Sequence, residues 1–269
     1  MQNIPSCPHC GHARFWHLRR QHRKCKKCLR EWSPRSQFPV ADMRLTERQW
    51  ETLIAAFLRD GRAWAVAREC GIAYATAQKA VSLLRCLMAC DAPAWFSGVC
   101  EADETYVGGA WKNKPASIRL LGTKRGRGTS KQGIFGILSR ETGTVRLWLI
   151  PDSTAATLCG CVAAQVLPGS TIYTDEWQPY EQLPRFGFGH SAVNHRSGEY
   201  VRGTVHTQGI EGYWGLLKSH LARIGGIRKR RLPLFLGEHV WRYNHRKLSR
   251  EERVCKLTEL LLDHERVIA

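Results

Sequence analysis

The chain has 269 residues, with 41 Lys and Arg against 23 Asp and Glu and a net charge of +18. A balance this basic points to a polyanionic partner, nucleic acid before an anionic membrane surface. No apolar run approaches the roughly 18 residues of a membrane span, and "MQNIPSCPHCGHARF" lacks the apolar core of a signal peptide. Eleven cysteines, an odd number largely scattered through apolar segments, fit a reducing cytosol rather than a disulfide scaffold. The length allows one large domain, or an enzyme-sized domain with smaller modules.

The first module is residues 1–38. Cys7 and Cys10, then Cys25 and Cys28, form two C-x-x-C pairs fourteen residues apart. Two such knuckles bring four thiolates to one tetrahedral zinc, whose binding supplies folding energy that so short a segment lacks. A redox C-x-x-C leaves the second pair unexplained. Around the knuckles stand Arg14, Arg19, Arg20, Arg23, Lys24, Lys26, Lys27, Arg30 and Arg35, with Phe15, Trp16 and Trp32 interleaved and Glu31 the one acid. A zinc ribbon with this charge suits DNA phosphates, Arg19, Arg20, Lys26 and Lys27 among its contacts.

Residues 45–90 read as helices. Thr46 caps the first, Gly61 ends it, and Trp50, Leu53, Ile54, Phe57 and Leu58 make its apolar stripe. A short helix, a turn at Gly71-Ile72 and a longer helix follow. This is helix-turn-helix spacing, which would offer Tyr74, Thr76, Gln78 and Lys79 to the major groove; an ordinary three-helix unit has the same periodicity. "DAPAWFSG" is a linker.

Residues 97–269 form the third zone. Strands are predicted at 99–107, 133–140 and 144–150, with a turn at 141–143. A helix in "STAATLCGCVAAQVL", the strand "STIYTD", a short helix, a strand near "HSAVNH" and two long helices follow. Hairpin strands followed by a crossover helix predict an α/β fold, a mixed sheet with helices on both faces. The loop from Lys112 to Lys131 carries seven basic residues and no acid, Lys124, Arg125 and Arg127 among them, and is read as phosphate-binding.

Acids are out of place in three spots here. Glu101, Asp103 and Glu104 interrupt a strand with a buried look, where an unpaired carboxylate is costly. Asp175 closes the strand "STIYTD", and Glu211 lies beside the apolar stripe Ile210, Tyr213, Trp214, Leu217 and Leu221 of a helix. Gly215 and Lys218 share the face of Glu211. Carboxylates on two strands and a helix are the ligand set of two-metal phosphoryl transfer, with magnesium (or manganese) favoured by hard oxygen donors. Strand alternation sets Glu101, Asp103 and Thr105 on one face and Glu104 on the other, which leaves Asp103 and Glu101 unseparated. The short, stiff Asp side chain is the better rigid ligand; Glu101 is expected as a strand-edge salt-bridge partner.

The order Asp103, 71 residues, Asp175, 35 residues, Glu211, six residues, Lys218 resembles the Asp-Asp-Glu signature of transposases and retroviral integrases. More narrowly, "ADETYVGG", "YTDEW", "VHTQGIEGYWGLLKSHL" and "GEHVWRYNHRK" resemble bacterial insertion-sequence transposases with an N-terminal zinc ribbon. The resemblance spans essentially the whole chain. It implies an RNase H-like catalytic domain behind the ribbon and helix-turn-helix, and places the first catalytic acid at Asp103. The expected activity is cleavage of the element's ends and joining of the 3′-OH to target DNA. The implied catalytic set is Asp103, Asp175, Glu211 and Lys218, with two magnesium ions on the three acids, a structural zinc, double-stranded DNA as partner, and a homo-oligomer assembled on it in the cytoplasm. Gln208 stands where relatives commonly carry Asn, and its part in metal or DNA binding stays open. Past Lys218, Arg223, Arg228, Lys229, Arg230 and Arg231 are expected to hold the DNA backbone across the site, and Arg242, Tyr243, Asn244 and Arg246 to face the same cleft, with Trp241 in the core. A regulator without catalysis would leave the acids unexplained; a metal-dependent nuclease would not need two DNA-reading modules.

Overall fold

The computed structural model describes residues 6–7, 9–19, 22–32, 43, 45–108, 116–117, 131–193 and 203–268, the side chains of Glu47 and 263–268 excepted. Its contacts divide the chain into two compact units, Met1–Asp91 with Lys247–Ala269, and Ala92–Arg246.

In the first unit, β1 (Phe15–His17), β2 (Arg23–Cys25) and β3 (Glu31–Trp32) form an antiparallel ribbon. Trp32 is buried beside Cys7 and Cys25 with Phe15 edge-on to its ring, so two of the three ribbon aromatics form its small core. Trp16 alone of the three stays exposed, with the Lys26 ammonium 5.5 Å above its ring. Glu31 pairs with Lys24 across the register of β2 and β3.

Three helices follow: α1 (Glu47–Asp60), α2 (Ala63–Cys70) and α3 (Tyr74–Cys90). Thr46 and Gln49 exchange reciprocal hydrogen bonds at the start of α1, and Gly61 and Gly71 end α1 and α2 with positive φ, the conformation glycine adopts without a Cβ clash. Trp50, Leu53, Ile54 and Phe57 are buried as the stripe requires. Arg85 on α3 is also buried. It donates to the Gly61 carbonyl at 2.8 Å and lies over Phe57, fastening α3 to the end of α1.

Three C-terminal helices stand where two were expected: α5 (Gln208–Ile224), α6 (Leu232–Asn244) and α7 (Arg250–Ile268). The last was expected to continue the third zone. Instead Leu257 and Leu261 are buried and α7 packs on α1 and α3, completing the helical unit. Its apolar face matches that of the three-helix layer, which periodicity alone does not reveal.

The second unit is a five-stranded sheet in the order β6-β5-β4-β7-β8: β4 (Val99–Val107), β5 (Gln132–Ser139), β6 (Val145–Ile150), β7 (Thr171–Asp175) and β8 (Gly189–Val193). The first three strands are antiparallel, while β4, β7 and β8 run parallel. On one face α4 (Ala155–Ala163) and a 3₁₀ segment (Gln178–Phe186) cover Cys100, Ala102, Phe135, Ile137 and Ile172. On the other, α5 and α6 cover Ile134, Leu138 and Val145. This is the expected mixed sheet flanked by helices on both faces, and β4 is its middle strand. No helix among the described residues is long and apolar enough to cross a membrane.

Candidate active site

The central strand explains how one short stretch carries three carboxylates, because each goes to a different partner. Glu104 faces the 3₁₀ segment and is buried, and the hydroxyl of Tyr180 donates to it at 2.6 Å. Burial, then the Glu104 charge, hold that phenol protonated well above its ordinary range. Glu101 and Asp103 face α5. Glu101 is 1% exposed and takes a 2.7 Å hydrogen bond from the Arg140 guanidinium. It is a salt-bridge partner as expected, but it sits in the middle of the sheet rather than at an edge. Asp103 accepts from the Trp214 indole N–H at 2.9 Å.

Asp175 ends β7, the parallel neighbour of β4. The register pairs Val99 with Thr171 and Glu101 with Tyr173, and carried two residues on it sets Asp175 beside Asp103. Glu211 arrives from the first turn of α5, where the Thr207 hydroxyl donates to its Oε1 at 2.7 Å. Asp103, Glu104, Asp175, Glu211 and Lys218 thus line one open cleft of about 440 Å³, with Thr105, Thr207, Trp214 and Gly215. Gly215 has no atom within 4 Å of where a Cβ would sit, so it leaves the cleft open.

Electrostatics single out Asp103. Burial, then the like charges of Glu104 and Asp175, push its carboxyl up to about 8, against the Trp214 hydrogen bond. Carboxylates crowded this closely favour either a shared proton or a cation. Their hard oxygens fit magnesium, which would relieve the like-charge part of what raises Asp103.

The ribbon holds a second cluster. Cys7, Cys10, Cys25 and Cys28 have Sγ atoms all within 4.8 Å of one another and could hold a metal ion. Two of the separations, 3.6 Å for Cys7 to Cys28 and 3.5 Å for Cys10 to Cys25, lie near the edge of about 3.8 Å implied by Zn–S bonds of about 2.3 Å. Although burial opposes it, the N–H groups of Cys28 and Lys27 donate to Cys25 Sγ and draw that thiol down to about 6.

Of the proposed DNA contacts, Arg19, Lys26, Lys27, Lys79, Arg228 and Arg230 are exposed, and Thr76 and Gln78 are half-buried. Arg20, Lys124, Arg125 and Arg127 lie outside the described residues. Gln208 begins α5 exposed and is not part of the cleft wall. Trp241 is buried as expected, but its neighbours do not face the cleft. Asn244 exchanges two hydrogen bonds with the backbone of Val145, Arg246 donates to the Gly143 carbonyl, and Arg242 pairs with Glu238. These side chains fasten α6 to the β5–β6 hairpin or to itself.

Two residues escaped the sequence reading: Trp214, taken only as part of an apolar stripe, and Thr207. A signal for Trp214 existed in Gly136. A Cβ there would come within 2.6 Å of the Trp214 ring, so this glycine in an apolar strand marks a close approach. Nothing in sequence flagged Thr207.

Residues 96–244 match the family described as ISXO2-like transposase domain, which is more than half of the chain. The chain belongs to this family. The matched span of the transposase domain nearly coincides with the sheet unit and stops short of α7. A transposase-like protein of Haemophilus influenzae is 31% identical over 108 residues, 40% of this chain and 87% of its own. A protein in the transposable element ISH50 of Halobacterium salinarum is 29% identical over 222 residues, 79% of this chain and 74% of its own. Among solved structures, the HTLV-2 integrase catalytic core domain in complex with magnesium aligns with 13% identity and a TM-score of 0.32, over 56% of this chain and 86% of that one.

Proposed function

We propose that this transposase cleaves the ends of its own insertion sequence and joins the freed 3′-OH to target DNA. The observation that carries the reading is the cleft in which Asp103, Asp175, Glu211 and Lys218, distant in sequence, line one wall system. Asp103, Asp175 and Glu211 would hold two magnesium ions, or manganese. When bound, the ions supply charge stabilisation to the attacking and leaving oxygens of the phosphodiester. The protein's own share is positional. Trp214 fixes one oxygen of Asp103, Thr207 steadies Glu211, and Lys218, exposed on the same helix as Glu211, grips a DNA phosphate. One zinc on Cys7, Cys10, Cys25 and Cys28 keeps the ribbon folded, and the ribbon with α2 and α3, acting as a helix-turn-helix, binds the terminal repeats. Assembly on DNA as a homo-oligomer and a cytoplasmic site of action follow from the same reading.

Strand transfer in vitro, with the element's terminal repeats and magnesium, tests it. Joined product is expected. DNA binding without any cleavage would make the chain a regulator, and cuts without joining would make it a nuclease.

A further inference from the structure

Glu101 lies two residues from Asp103 on the same face of β4, yet takes no part in the cleft wall. Its contacts lead elsewhere. Glu101 Oε2 accepts the backbone N–H of Ile210 at 2.9 Å, inside the first turn of α5. Glu101 Oε1 takes the Arg140 Nε–H. The same guanidinium donates to the carbonyls of Thr204 and His206 at 2.6 and 2.9 Å and to His206 Nδ1 at 2.7 Å, and lies over the Tyr173 ring. His206 Nδ1 also lies 3.5 Å from Glu101 Oε1. One buried carboxylate and one arginine therefore gather the backbone that leads into α5 and the first turn of α5 itself.

The spacing makes this a two-point grip. Glu101 holds Ile210 and Asp103 holds Trp214. Two strand residues cover about 6.6 Å and four helix residues about 6 Å, so β4 and α5 run in step. Glu211 is the residue directly after the gripped Ile210. Gly209 completes the seat, since a Cβ there would stand 2.9 Å from Glu101 Oε2. Gly212, in the same helix, has nothing within 4 Å of its own Cβ position.

We propose that Glu101 and Arg140 are positioning residues, a latch that seats the first turn of α5 so that Glu211 meets Asp103 and Asp175 and completes the cation site. The proposal rests on the reading of those three acids as a metal site.

Mn²⁺ binding to the full-length, zinc-loaded protein, followed by paramagnetic resonance of the free ion, tests it together with thermal melts. Gly209→Ala should weaken Mn²⁺ binding by about tenfold or more, as loss of an outer partner of a metal site does. It should not lower the melting temperature, because alanine favours helix over glycine. Gly212→Ala should bind as wild type. Should Gly209→Ala melt early, Arg140→Lys carries the test: it keeps a cation against Glu101 but lacks the fork that reaches Thr204 and His206, and should weaken Mn²⁺ several-fold. Wild-type affinity in both variants, with binding lost in Asp103→Asn, would overturn the latch and leave the acid site standing. Mn²⁺ binding that survives Asp103→Asn would overturn the acid site and the latch with it.

Discussion

Cys7, Cys10, Cys25 and Cys28 come from 22 consecutive residues, whereas Asp103, Asp175 and Glu211 are drawn from a span of 109. The thiols sit on two knuckles of a ribbon whose own core is little more than Phe15 and Trp32. The carboxylates sit on two strands and a helix held by apolar layers on both faces of a sheet. With zinc bound as proposed, a site of the first kind takes most of its folding energy from its ion. A site of the second kind is built by the fold, and burial with the like charges of Glu104 and Asp175 raises its Asp103 carboxyl. Removing a ligand should therefore cost structure in the ribbon and chemistry in the cleft.

The largest effect should come from the cleft. Asp103→Asn, Asp175→Asn and Glu211→Gln should each lower strand transfer by more than about 100-fold, beyond the loss of an outer-sphere partner, while end binding in a gel-shift assay stays near wild type. A variant that kept most of its activity would remove that residue from the set. For the ribbon, Cys25→Ser or zinc chelation should unfold the N-terminal segment alone, read as lost amide protection there with the sheet unit's protection intact. About one zinc per chain is expected in the untreated protein, and a chelated protein that melts throughout would erase the contrast.

The basic residues at and past the cleft come next. Lys218, Arg228 and Arg230 are exposed, and each phosphate contact adds about 0.9 to the slope of log affinity against log salt. Neutralising all three should lower the slope by about two to three units on specific and non-specific duplex alike. An unchanged slope would leave the patch outside the interface.

The smallest effect concerns pH in metal-free protein. Asp103 has a folded value of about 8 against an ordinary 3.8, so the folded state keeps a proton that the unfolded chain releases. Stability is then fully present below about pH 4 and lost as pH rises through about 8. Asp103→Asn should melt above wild type at pH 8, with the gap closing toward pH 4. Added Mg²⁺ should raise the melting temperature of wild type but not of the variant.

How much could be read from sequence follows the same divide. The knuckles, the caps at Thr46 and Gly61, and the strand order are local patterns, and they were legible. The acids showed as misfits in apolar surroundings; Glu104 bonds Tyr180 and Asp103 bonds Trp214, on the opposite faces that alternation predicts, although Glu104 also lines the cleft. Alternation could not separate Asp103 from Glu101, because both point at α5 and differ only in which turn of the helix they meet. The grip of Asn244 on Val145 and the home of α7 were beyond reach as well. Those depend on which distant surfaces the chain brings together, and an amphipathic helix does not name its partner.

That α7 packs on α1 and α3 has a consequence for the order of events on the ribosome. At about 5–20 residues per second, Arg250 is made roughly 8 to 32 seconds after Cys90. By the end of that interval every strand of the sheet unit has been made, while the helical unit still lacks its fourth wall. A nascent or prematurely stopped chain would carry the acidic cleft before it carries a finished helical unit.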